Sequence, residues 1–310
     1  MRILVTGGAG YIGSVLVPTL LQAGHKVTVL DTFVRGDTAL APCCSDPGFE
    51  PVRGDARNEA LLDELVPHAD VVIPLAALVG APLCARDEIG AVTVNRDAVV
   101  AVLKRLGKGQ RLIYPTTNSG YGIGEKDQYC TEESPLRPIS LYGRTKVDAE
   151  QAILDSGNGV TLRLATVFGM APRMRIDLLV NDFTHRAVSD RVVVVFEGHF
   201  RRNYIHIRDV VRAFLHAIER YDAMNGDPFN VGLSDANLTK LELCQEIKAR
   251  VPEFVVIEAP IGEDPDKRDY IVSNAKIEAT GFQPDWSLGE GIDELIKGYR
   301  MLRNARFANV

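Results

Sequence analysis

The segment Tyr142-Gly-Arg-Thr-Lys146 places a phenol and an ammonium four residues apart in a helical stretch. That spacing puts both on one face, with Cβ atoms about 5–6 Å apart. A free phenol, with a pKa of about 10, is a poor base at neutral pH. A neighbouring positive charge stabilises the phenolate and lowers that value. Tyr142 is then able to take a hydroxyl proton, with Lys146 as its helper. Taken alone, Tyr-x-x-x-Lys is common by chance. Thr117 lies in Tyr114-Pro-Thr-Thr-Asn-Ser-Gly-Tyr-Gly122, at the carboxyl end of an apolar run. Open α/β sheets hold ligands at that end, where a hydroxyl shares a proton with a substrate oxygen and the Tyr. The same Thr, Asn and Ser also suit a turn closed by local hydrogen bonds.

A second constellation opens the chain. The apolar run Arg2–Thr6 leads into Gly7, Gly10 and Gly13, then into an apolar helical pattern, and a second strand ends on Asp31. Glycines let the backbone turn tightly and approach a pyrophosphate, and a helix N-terminus offers it free N–H groups. A carboxylate at the end of the second strand accepts hydrogen bonds from a ribose diol. Strand, glycine turn, helix and acid together predict a bound dinucleotide. Asp31 repels a 2′-phosphate and so favours NAD over NADP, while Arg35 nearby leaves NADP as the alternative.

The elements around these residues alternate. Strands are expected at 2–6, 26–31, 50–53, 70–75, 110–116 and 159–165, and helices at 12–22, 58–66, 92–106 and 141–155. This is the pattern of a Rossmann-type, doubly wound parallel α/β sheet. Helices at 176–189, 208–220, 239–250 and 288–302 follow, with short strands near 192–196, 204–207 and 254–258. Residues 229–232 read as a strand returning to the main sheet. The expected organisation is a nucleotide-binding domain over 1–170, completed by part of 208–235, and a smaller interleaved substrate domain over 171–310, with the substrate in the cleft between.

Composition narrows the classes. The chain has 310 residues, 46% of them hydrophobic, enough for a large core. A net charge of −6 argues against a nucleic-acid binder. No apolar run is long enough to span a membrane, and no signal peptide is expected ahead of the first strand. The five scattered cysteines read as free thiols in a reducing cytoplasm.

The chain resembles the extended short-chain dehydrogenase/reductases that act on nucleotide sugars. The resemblance rests on TGGAGYIG (6–13), GDAR (54–57), PLAALVG (74–80), VN (94–95), TTNSGYG (116–122), YGRTK (142–146), RLATVFG (163–169) and RNYIHIRDV (202–210). It implies that Gly7, Gly10, Tyr11, Ile12 and Gly13 hold the NAD pyrophosphate and Asp31 the adenosine ribose. Asp55 and Ala56 meet the adenine. Leu75, Ala76 and Ala77 line the cofactor, with Asn95 close by, and Val167 packs near the nicotinamide. Tyr142 is the base, Lys146 its helper, and Thr117 stands where the family has a catalytic Ser or Thr. On the substrate side, Asn181, Arg202 and Arg268 match residues that contact a diphosphate. Phe196 matches a residue packed on the base, or else an ordinary strand residue. Two guanidinium forks suit a dianionic diphosphate.

Departures from the family bear on the reaction. The 4,6-dehydratases carry an Asp-Glu pair directly after the catalytic Thr. Here Asn118 and Ser119 stand there, and neither does acid–base work of that kind, which disfavours dehydration. Both remain candidate substrate contacts. Arg173 and Arg175 flank the expected sugar site, meeting extra negative charge or hydroxyls, or else solvent. The leading expectation is an NAD-dependent enzyme that oxidises C4 of a nucleotide-linked sugar, with 4-epimerisation ahead of 4-dehydrogenation, reduction or decarboxylation. A non-catalytic NAD-binding sensor is the alternative of a different class. The nucleotide base and the sugar are not legible. A homodimer is expected from the resemblance, through helices 92–106 and 141–155, where Ala91, Val92, Ala98, Val99, Val102 and Leu103 supply one apolar face or else are buried within the monomer.

Overall fold

The computed structural model describes residues 1–34, 38–125, 127–260 and 268–302; Arg35 lies outside them. Its strands as far as residue 231 are, in chain order, β1 (Arg2–Thr6), β2 (Lys26–Asp31), β3 (Phe49–Arg53), β4 (Val71–Pro74), β5 (Arg111–Thr117), β6 (Tyr129–Cys130), β7 (Val160–Leu164), β8 (Thr166–Phe168), β9 (Val192–Val195), β10 (Arg201–His206) and β11 (Pro228–Val231). Seven of them form one sheet in the order β11-β7-β5-β4-β1-β2-β3, and every pairing is parallel. Helices cover both faces, so its central strands are apolar throughout: β4 and β7 bury every residue. This is the Rossmann fold expected. The strand order reverses beside β1, between β2 and β4, which opens a crevice at their carboxyl ends.

The main helices of the first half are α1 (Gly13–Gln22), α2 (Glu59–Leu65), α3 (Ala81–Arg86), α4 (Glu88–Val92), α5 (Ala98–Leu103) and α6 (Leu141–Ser156). α6 carries Tyr142 and Lys146, and both of its ends are fixed chemically. Ser140 Oγ accepts the Gly143 N–H at 3.1 Å, and Gly157 ends the helix at φ 67°. The helix expected at 92–106 begins earlier. Asp87 caps α4, and a π-helical turn at Thr93–Asp97 joins α4 to α5. The extra residue in that turn rotates Asn95 inward, where it is fully buried.

Ala91, Ala98, Val99 and Val102, offered as part of a dimer face, are buried inside this chain. Val99 and Val102 pack with Ala149 and Ile153 of α6. The same amphipathic stripe serves the monomer's own core.

Beyond β7 the chain builds smaller sheets. β8 and β10 pair in parallel, and the strand Asn237–Thr239 extends them. The helix expected from residue 176 starts at Leu179, as α7 (Leu179–Ser189), because Met174–Leu178 form an approach to it lined with Arg175 and Asp177. α8 (Ile207–Glu219) follows β10 directly.

Behind α6, Glu150 and Arg163 form an ion pair at 2.7 Å with side chains 2% and 5% exposed. Arg163 also donates to the Tyr121 hydroxyl, which donates to Asn230 on β11. Removing one partner of such a pair leaves a buried charge unpaired, at a cost of about 3–5 kcal/mol. Glu132 belongs to this network: its carboxylate accepts the Asn230 N–H at 2.7 Å.

Candidate active site

A cleft of about 850 Å³ runs along the carboxyl ends of β1, β2, β4 and β5. The first turn supplies one end of it. Gly7 has φ 71°, and a Cβ there would lie 2.5 Å from the Ala76 backbone; a Cβ on Gly13 would lie 2.2 Å from the Gly8 carbonyl oxygen. Only glycine fits these two positions. α1 has no side-chain cap. Among the described residues, no acceptor takes the N–H of Tyr11, Ile12 or Gly13. Uncapped N–H groups at a helix N-terminus beside the cleft suit a pyrophosphate. The residues present therefore fit NAD.

Asp31 lines the same cleft and closes the turn. Its Oδ2 accepts the Ala9 N–H at 3.0 Å and its Oδ1 the Phe33 N–H at 2.8 Å. Each oxygen keeps a lone pair for a diol. Replacing Asp31 with Ala should raise the Kd for NAD by roughly 10–100-fold, the worth of charge-assisted bonds at about 1.5–3 kcal/mol. An unchanged Kd by equilibrium titration would reject the diol role. Asp55 and Ala56 also line the cleft. Asp55 is held below the usual carboxylate range by hydrogen bonds from the Arg57 guanidinium. Leu75, Ala76, Ala77 and Val167 complete this wall. Asn95 does not reach it. Its amide bonds the Leu78 N–H and carbonyl at 2.8 and 2.9 Å, and so props the loop after β4.

The chemistry-bearing residues meet at the end of β5. The Thr117 hydroxyl acts to lower the Tyr142 phenol, donates to Ser119 Oγ at 2.9 Å and accepts the Ser119 N–H at 3.1 Å. Burial raises the Tyr142 phenol, and the charges of Arg175 and then Arg268 act against that rise. Guanidinium charge from Arg175 and Arg268 thus reaches the phenol, a contribution that the spacing of Tyr142 and Lys146 does not reveal. Lys146 is buried, with Nζ 3.9 Å from the centroid of the Tyr114 ring. Burial pushes its ammonium down to about 7, opposed by the Glu150 carboxylate one turn on.

A pH effect on stability follows. Between about 7 and the ordinary 10.5, the unfolded chain binds a proton at Lys146 that the folded chain does not. Unfolding then takes up a proton and becomes harder as pH rises. Protein prepared without nucleotide should gain Tm across that window. Lys146→Met should flatten the gain, whereas equal slopes for the two proteins would contradict the assignment.

The facing wall is cationic. Arg173, Arg175, Arg202, Lys240 and Arg268 line it, with Asp177 and Asp182. Arg202 is 2% exposed and lies over the Tyr270 ring at 5.6 Å. Arg268 donates to Ser119 Oγ. The Arg201–Asp269 ion pair at 3.2 Å ties their two segments side by side. Arg175 holds Asp177 through Nε and Nη2. Asn118 is buried beside Ser119, and both of its amide polar atoms lack a partner among the described residues.

Two expected contacts lie off this wall. Phe196 is 38% exposed and outside the cleft lining; its carbonyl takes Lys240 Nζ at 2.9 Å. Asn181 is fully buried, and its N–H groups go to the Tyr11 hydroxyl at 3.2 Å and the Arg175 carbonyl at 2.8 Å. Lys240, Asp177 and Tyr270 were missed by the sequence reading. Their only local signals are ordinary charged or aromatic residues in loops and helix starts. Among the described residues no acidic, His or Cys cluster forms a metal site, and no helix is long and apolar enough to cross a membrane.

A Rossmann sheet with a glycine turn, Asp31 and a Thr-Tyr-Lys set at one cleft defines an NAD-dependent short-chain dehydrogenase/reductase of the extended type. The chain belongs to the NAD dependent epimerase/dehydratase family, whose family model matches residues 3–232. It is 29% identical to UDP-glucuronic acid decarboxylase 1 of Arabidopsis thaliana, over 97% of this chain and 70% of that protein. Among solved structures, it is similar to the UDP-glucose 4-epimerase of Thermotoga maritima with UDP-glucose, with a TM-score of 0.85 and 26% identity, covering 97% and 99% of the two chains. The UDP-glucuronic acid 4-epimerase of Bacillus cereus, in complex with UDP-glucuronic acid and NAD, gives a TM-score of 0.86 and 25% identity, again covering 97% and 99%. NAD is the cofactor, and the protein is an enzyme of this nucleotide-sugar-modifying family.

Proposed function

We propose that the chain oxidises C4 of a nucleotide-linked sugar, with Tyr142 as base, and that the overall reaction is 4-epimerisation. One observation carries this reading. The Thr117–Tyr142 pair faces a wall holding Arg202 and Arg268, while positions 118 and 119 hold no acid. Bound NAD supplies a reversible acceptor for hydride from the sugar carbon. Tyr142 takes the C4 hydroxyl proton, Thr117 shares it, and Lys146 orients the cofactor ribose beside them. Arg202 and Arg268 grip the diphosphate. The unpartnered Asn118 amide gains a partner when a sugar hydroxyl arrives. The ketone then turns over within the site, takes the hydride back from the reduced cofactor on the other face of C4, and receives the proton on its C4 oxygen from Tyr142. No net oxidant is consumed.

A second reading has its own support. Arg175 and Arg268 act electrostatically on the Tyr142 phenol, so a sugar carboxylate beside C5 would be welcome there. Oxidising C4 of such a sugar makes a β-keto acid, which loses carbon dioxide readily. The Arabidopsis relative's name points the same way. NMR of the products from NAD-loaded protein with UDP-glucose and with UDP-glucuronic acid separates the readings. C4 inversion with C6 kept supports epimerisation, and a pentose with released carbon dioxide supports decarboxylation. A 4-keto-6-deoxy product would overturn both. Silence across UDP-, GDP-, dTDP- and CDP-sugars would favour a non-catalytic NAD binder.

The outer face of α4, α5 and α6 suits a second copy. Ile89 is 78% exposed there, and Val92, Leu141 and Val147 line a shallow groove. Sedimentation should show a dimer that Val147→Glu converts to monomer; a monomeric wild type would reject this arrangement.

A further inference from the structure

The segment 169–175 carries Arg173 and Arg175 into the cleft, and the first glycine turn grips it. The Tyr11 hydroxyl donates to the Gly169 carbonyl at 2.6 Å. Asn181 Oδ1 accepts the Gly169 N–H at 3.1 Å, while its two N–H groups reach the Tyr11 hydroxyl and the Arg175 carbonyl. Ser14 Oγ donates to the Tyr11 carbonyl at 3.0 Å and accepts the Arg173 N–H at 3.3 Å. From the far side, Glu294 accepts the Met170 N–H at 2.9 Å and is itself held by His206 and Arg208. Tyr11 and Asn181 are separated by 170 residues yet exchange a buried hydrogen bond. A buried phenol hydroxyl is costly unless bonded, and here it donates to the arginine segment at Gly169 and accepts from Asn181, which itself holds that segment at Gly169 and Arg175.

We propose that Tyr11 and Asn181 are positioning residues that couple the cofactor turn to Arg173 and Arg175, so that NAD occupancy sets the geometry of the sugar-side arginines. Neither acts through its side-chain polar atoms as a ligand. Asn181 has both donors committed inside the protein, and the Tyr11 hydroxyl is turned away from the pyrophosphate turn toward Gly169. A Phe at position 11 would pack equally well, so the hydroxyl itself is the coupling element. The linkage is reciprocal: a substrate held by the segment tightens NAD by the same factor.

The functional part of this inference rests on the nucleotide-sugar reading, so its first test needs no sugar. Backbone hydrogen exchange is followed with and without NAD on wild type, Tyr11→Phe and Asn181→Asp. In wild type, NAD should slow exchange of both 7–13 and 169–175, the latter by about tenfold, within the usual range of coupling between sites. Tyr11→Phe should keep the protection at 7–13 and lose it at 169–175. Asn181→Asp, which keeps the size but loses the donors, should do the same, and carries the test if Tyr11→Phe fails to fold. Retained NAD protection at 169–175 in both variants, or none in wild type, would overturn the proposal. Where a sugar turns over, Tyr11→Phe should raise its KM with little change in kcat, and this rise should vanish in an Arg175→Met background. Additive effects in that cycle would also count against the coupling. Absence of any sugar substrate would sink the functional reading and leave the exchange result standing.

Discussion

Replacing Tyr142 with Phe should lower kcat by roughly 10²–10⁴-fold, the usual worth of a positioned acid–base group, while NAD affinity stays as in wild type. The phenol hydroxyl is the atom that Thr117 acts on, and the ring remains to pack against the cleft. Burial raises this phenol, and Arg175 and Arg268 oppose the rise. The rate should therefore depend on pH through the phenol, with activity increasing as pH rises. Losing the cations of the facing wall should move that dependence to higher pH. Normal turnover by Tyr142→Phe would remove this residue from the mechanism.

Changing Arg202 and Arg268 together to Ala should raise the KM for the nucleotide sugar by roughly 10²-fold or more, with a smaller change in kcat. Each hydrogen bond from a charged group contributes about 1.5–3 kcal/mol, and a diphosphate far from the reacting carbon is bound almost equally in ground and transition states. NAD affinity should be unaffected, because neither guanidinium lies on the glycine-turn side. Arg268 also bonds Ser119 Oγ, so the single Arg268→Ala variant should lower kcat more than Arg202→Ala does. Steady-state kinetics and calorimetric titration with the matching nucleoside diphosphate measure both effects. An unaltered KM would undo the diphosphate assignment.

The parts of this protein that could be read from sequence are those fixed by neighbours in sequence. The Gly7-Gly10-Gly13 turn, Asp31 at a strand end and Tyr142 with Lys146 one helical turn apart are all local patterns, and the sheet positions them as the spacing implied. What escaped depends on distant partners. Asn181 reads as a diphosphate contact until Tyr11 is seen beside it. Asn95 is withdrawn from the cleft by a π-helical turn that the apolar periodicity does not reveal. Phe196 has the alternation of a strand residue, and strand alternation alone does not say which face meets a ligand. The stripe from Ala91 to Val102 illustrates the same limit, since an amphipathic helix face looks identical whether α6 or a second copy covers it. The depressed Lys146 ammonium arises from burial over Tyr114, which no spacing rule anticipates.

The most direct test of the central claim is the fate of a deuterium placed at C4 of the nucleotide sugar that the protein turns over, followed by NMR in ordinary water. Oxidation at C4 with return to the same carbon predicts that the label leaves C4 and comes back to it, remaining in the product without exchange into solvent, and that turnover slows with the heavier isotope. A label washed out into water, or one untouched while another carbon reacts, would contradict the assignment of Tyr142 and its neighbours to C4 chemistry.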